Sequence, residues 1–125
     1  MTALPACARG IAVGLGLITA GCATTPPTER MEASAGAIRA AEEVGARGVP
    51  RAALYLQLAQ EQSERAKTLI ARATPADRGA ASSLLSRAQA DAELALALAR
   101  EDSDRMAAQK AMEKVSSLLR GTQAP

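Results

Sequence analysis

Histidine, phenylalanine and tryptophan are absent from this 125-residue chain, and Tyr55 is its one aromatic residue. Lack of His removes the commonest general base and transition-metal ligand, leaving carboxylates, Ser/Thr and Lys for any chemistry. Lack of aromatics removes base-stacking platforms and large aromatic cores. Neither sign of charge dominates: 15 basic and 13 acidic residues are interspersed for a net +2, so nucleic acid is not an expected partner. Ser82, Ser83 and Ser86 have no His, and Lys67 is remote from them. Asp102 and Asp104 lack the glycine-containing loop of a calcium site, and Gly10, Gly14 and Gly16 fall in an apolar run and form no phosphate cradle. No enzyme, no metal and no cofactor is therefore expected. What is abundant is alanine, about a quarter of the chain.

The only cysteines are Cys7 and Cys22. Arg9 is the single charge before the apolar run Gly10 to Ala20, which closes on Gly21 and Cys22. A basic start, a short apolar run and small residues at its end are the layout of a secretory signal. The run is shorter than the roughly 20 apolar residues of a membrane span, so a retained anchor is the lesser alternative. Thr19-Ala20-Gly21-Cys22 resembles a bacterial lipobox, cut between Gly21 and Cys22, with Thr19 where a branched apolar residue is usual. Cleavage would remove Cys7 and leave Cys22 as the first residue and sole thiol, the position that receives acyl chains. Each buried CH₂ contributes about 0.8 kcal/mol, so several chains hold where one does not. The resemblance also implies outer-membrane sorting and a periplasmic setting, because Ala23 is not Asp.

The expected organisation is a signal peptide over 1–21, a lipidated tether over 22–27, an all-α domain over 28–120 and a disordered tail over 121–125. The spacing predicts helix 1 from Thr28 to about Ala46, capped by Thr28 or Thr25, with Glu29 and Glu32 in its first turn. Gly45 and Gly48 end it and Pro50 opens helix 2, which runs to about Ala73. Thr74-Pro75-Ala76-Asp77 is the strongest start signal in the chain, an N-cap followed by proline and an acid. Helix 3 runs from there to Arg120, with Gly79 and Glu101 to Asp104 as its weak points. Glu43 with Arg47, Glu61 with Arg65 and Glu101 with Arg105 are spaced for solvated i,i+4 ion pairs.

Alanine recurs every seven residues, at Ala52, Ala59, Ala66 and Ala73 in helix 2 and at Ala81, Ala88 and Ala95 in helix 3. Tyr55, Gln62, Leu69, Leu84, Leu85, Ala92 and Ala99 fall beside them. A period near 3.5 with small residues suits two antiparallel helices packed as a close coiled coil, although helix propensity alone also enriches alanine. Helix 3 is nearly twice as long as helix 2. Helices 1 and 2 either fold back into an antiparallel three-helix bundle, leaving roughly twenty residues of helix 3 projecting, or run end to end against helix 3 as one long hairpin. Two glycines and a proline between Gly45 and Pro50 favour the bundle. In that case Ala108, Met112, Val115 and Leu119 form an uncovered apolar stripe, a surface for self-association or a partner.

Cys22-Ala-Thr-Thr-Pro-Pro, Ala40-Ala41-Glu42-Glu43 with Gly45, the proline-opened second helix with Tyr55 and Ala59, and Ala88 to Ala95 (AQADAELA) together resemble small bacterial lipoproteins of the domain-of-unknown-function family 4398. The resemblance spans about residues 22–115 and rests mostly on Asp91 to Ala95. It implies an envelope lipoprotein with a helical domain. Some relatives continue into an OmpA-like peptidoglycan-binding domain, for which the five residues after helix 3 leave no room; this counts against direct peptidoglycan binding. A C-terminal Lys for linkage to murein is also lacking. Two roles stay open: a lipid-anchored structural or adaptor module that contacts an envelope protein or itself, and a module holding a lipid or other hydrophobic ligand between its helices. The alanine-rich, Phe-free seams favour the first.

Overall fold

The computed structural model describes residues 26–122, so the lipobox, with Gly21 and Cys22, lies outside the described residues. Three α-helices follow one another: α1 Pro27–Glu43, α2 Pro50–Arg72 and α3 Pro75–Gly121, with a short 3-10 turn Ala46–Gly48 between the first two. They form an antiparallel three-helix bundle in which α3 packs along both α1 and α2, most extensively along α2.

Proline starts every helix, because its fixed φ suits the first turn and its missing N–H is not needed there. At α3 the expected cap forms: the Thr74 hydroxyl oxygen accepts from the Asp77 backbone N–H at 3.1 Å, and the hydroxyl donates to Asp77 Oδ2 at 2.7 Å. At α1 the cap is Pro26, in polyproline geometry with no side-chain acceptor, and neither Thr25 nor Thr28 serves. The helix begins one residue earlier than expected because Pro27 already occupies its first position.

The end of α1 also differs from expectation. Gly45 takes φ +81, a left-handed conformation open to glycine, and stops the helix at Glu43. Ala46 to Gly48 then wind as a 3-10 turn that drives Ala46 into the core. Breaking the helix there separates Glu43 from Arg47, whose guanidinium pairs instead with Glu42. Glu61 likewise accepts from Gln57 Nε2, at 2.8 Å, and Glu101 with Arg105 forms the expected pair at 2.8 Å. Neither Gly79 nor the Glu101 to Asp104 cluster interrupts α3, which is one helix of 47 residues, about 70 Å long.

The core follows the 4-3 spacing of a coiled coil. Ala52, Leu56, Ala59, Ser63 and Ala66 are buried on α2, and Ala81, Leu85, Ala88, Ala92, Ala95 and Ala99 on α3. Ala73 leaves the seam: it is exposed and caps α2 at φ +60, since the chain must reverse within two residues to reach Pro75. Two apolar clusters result. One joins Ala41, Ala46, Ala52, Leu56, Ala95 and Ala99 near the 3-10 turn, and the other joins Ala66, Ala81 and Leu85 with Met31 beside them near Thr74. Ala59, Ser63, Ala88 and Ala92 lie between as a waist of small side chains.

One polar tie fixes each helix pair. Gln60 Nε2 donates to Glu42 Oε1 at 2.7 Å between α2 and α1, and Gln62 Nε2 donates to Asp91 Oδ2 at 2.7 Å between α2 and α3. The Arg30 guanidinium donates to the Ser86 hydroxyl between α1 and α3.

Candidate functional site

From Arg100 to Gly121, α3 continues for about 33 Å beyond the last buried alanine, Ala99. Nothing in α1 or α2 is long enough to cover this arm. The four residues singled out from sequence all lie on it: Met112, Val115 and Leu119 are 62%, 56% and 60% exposed, and Ala108 is exposed with them.

Helical phase relates this stripe to the core. At 3.6 residues per turn, Ala81, Leu85, Ala88, Ala92, Ala95 and Ala99 fall within about 40° of one line along α3. Carried onto the arm, that line meets Ser103, Met106, Lys110, Glu113 and Ser117, which are mostly polar. Ala108, Met112, Val115 and Leu119 fall within about 40° of the opposite line. The apolar face therefore changes sides across Arg100 to Arg105. This segment is polar throughout, and Arg105 is within 2.8 Å of Glu101 and 3.9 Å of Asp102.

Leu118 and Ala111 widen the stripe on one side, and Leu118 is 61% exposed. Neither was singled out from sequence, although their spacing of seven places them on one flank. Gln109 and Ser116 border the other side. A depression of ≈ 370 Å³ lies among Ala111, Met112, Val115 and Ser116, walled by this single helix.

Spaces between helices are smaller. A cleft of ≈ 230 Å³ where α3 leaves the bundle is lined by Val49, Leu98, Glu101, Asp102 and Arg105 among others. A second, of ≈ 210 Å³ between α1 and α2, has Arg39, Glu64 and Lys67 at its walls. Both fall below the roughly 300 to 1,000 Å³ of small-molecule pockets. Among the described residues no helix is long and apolar enough to cross a membrane.

The N-terminus of α1 lies at the other end of the bundle. Arg30 meets Ser86 and Met31 joins the cluster of Ala66, Ala81 and Leu85, so α1 starts beside the first third of α3. From the level of Ser86, Ala108 and Leu119 are about 33 Å and 50 Å farther along the axis.

Compared with known proteins, the chain matches no family model, no curated protein and no solved structure.

Proposed function

We propose that this chain is a lipid-anchored cell-envelope lipoprotein whose helical bundle is a non-catalytic adaptor, held by an acylated Cys22 and presenting the arm of α3 to a protein partner. The observation that carries the adaptor role is the apolar stripe on a helix that leaves its own bundle, since a monomer gains nothing by keeping Met112, Val115 and Leu119 in water. The anchor is supported by the signal-like run ending at Gly21 and Cys22. The setting that follows is the outer membrane, facing the periplasm, and the family resembled is the domain-of-unknown-function family 4398. In this reading the anchor and the stripe lie toward opposite ends of each chain. The small, charge-walled clefts between helices favour the adaptor over a carrier of hydrophobic ligands.

Fractionation of a Cys22→Ala variant tests the anchor. The variant leaves the membrane fraction; if it partitions with membranes as the parent does, acylation of Cys22 is not the anchor.

A further inference from the structure

We propose that the occupant of the arm's apolar face is a second copy of this chain, docked antiparallel through Ala108, Met112, Val115 and Leu119. The inference rests on reading the arm as an interaction surface and adds what covers it.

The stripe is complementary to its own reversal. Antiparallel helices packed knobs into holes bring the two kinds of seam position against each other, so residues at 4-3 spacing pair head to tail. With the two-fold axis between Glu113 and Lys114, Ala108 lies opposite Leu119 of the second copy and Met112 opposite Val115, each contact occurring twice. On one flank Ala111 then faces Leu118, and on the other Gln109 faces Ser116. A small side chain meets a large one in the outer layers, and polar meets polar at the edge, which is how interdigitated cores fill space.

Parallel pairing of the same stripe fails on volume and on charge. Identical positions would then meet, giving a gap at Ala108 and crowding at Leu119. The 4-3 spacing would also set Arg105 against Arg105 and Glu101 against Glu101 in the same seam. In the antiparallel register Arg105 meets Thr122, and neither Arg105 nor Glu101 faces its twin.

Geometry leaves room for the second helix. The stripe faces away from the side of α3 that carries α1 and α2, and an overlap from Arg105 to Thr122 covers about 27 Å without reaching the level of Ala99. Covering Met112, Val115, Leu118 and Leu119 in both copies removes on the order of 1,000 Å² from water, the small end of specific interfaces. A lipid surface is the poorer fit: it rewards bulky side chains all along a face, whereas Ala108 and Ala111 leave notches that a shaped surface fills.

The test is photo-crosslinking of the full chain in cells, with a benzophenone amino acid in place of Leu119, or in place of Lys110 or Ser117 on the opposite side of the arm. The expected result is a band of twice the chain mass from position 119, joined by peptide mapping to the second copy near Ala108, and no such band from 110 or 117. A link from 119 to 119 overturns the antiparallel register. A link to a different protein overturns the second copy as occupant and leaves the adaptor reading standing. A lipid adduct alone, or no product, overturns both.

Discussion

Replacing Ala59 by Leu probes whether the alanines of α2 are packing or only composition. Ala59 is fully buried in the waist between the two apolar clusters, and the Gln62 to Asp91 bond sets it between the levels of Ala92 and Ala95 on α3. Leucine adds three carbon atoms where the facing residues are themselves alanines at 0% exposure. The helices must move apart or the side chain must leave its rotamer, at a cost of about 1 to 3 kcal/mol. For a domain of this size 1 kcal/mol moves the melting point by about 4 to 8 °C, so a central cost of about 2 kcal/mol lowers Tm by about 8 to 16 °C. The control is Gln57→Leu on the exposed face of the same helix. It loses only the bond to Glu61, worth about 0.2 to 0.5 kcal/mol. Both are read by thermal melts followed by far-UV circular dichroism. Equal melting points for the two variants would refute the close seam.

Two further outcomes follow from the backbone and from the polar tie. Ala73 holds a left-handed conformation that costs an L-residue about 1 to 2 kcal/mol, partly offset in glycine by a looser unfolded chain. Ala73→Gly therefore raises Tm by a few degrees, and a lower Tm would show that the turn is not strained. Gln62→Glu exchanges the donor to Asp91 for a carboxylate and destabilises the bundle by about 1 to 3 kcal/mol at neutral pH. Repulsion lifts the folded-state pKa of the introduced carboxyl above its unfolded value of about 4.3, so the penalty is full above that raised pKa and vanishes below about pH 4. Melts at both pH values check it; a deficit that does not change with pH would show that Asp91 does not face this position.

Much of this architecture was legible because its determinants are local. Thr74 to Asp77 fixes the turn into α3 through contacts within four residues, and the heptad alanines mark the seam wherever both helices persist. Ser34 and Ser63 were harder to find. Both are buried, yet serine reads as surface, and Ser34 is accommodated by donating to the Met31 carbonyl at 3.0 Å, a bond within its own helix turn. The signal was present for Ser63 and Leu56, each four residues after a seam alanine. The pairing of Arg47 with Glu42 was not legible, because it depends on Gly45 turning left-handed before the helix completes another turn. On the arm, spacing alone gave Ala108, Met112, Val115 and Leu119 as one face. Which way that face points relative to the core needed an unbroken α3, and sequence left a break at Glu101 to Asp104 open.

That continuity makes the junction at Arg100 to Arg105 a transmitter of angle. Because α3 is one unbroken helix there, the azimuth of the stripe is inherited from the bundle, residue by residue. Seven residues added at the junction would carry the stripe about 10.5 Å farther out while turning it by only about 20°. Two residues added there would advance it merely about 3 Å but swing it through about 200°, onto the side that α1 and α2 occupy lower down. Length in this segment can thus change by about four, seven or eleven residues with little turning of the stripe, whereas a change of two residues reverses the face it presents.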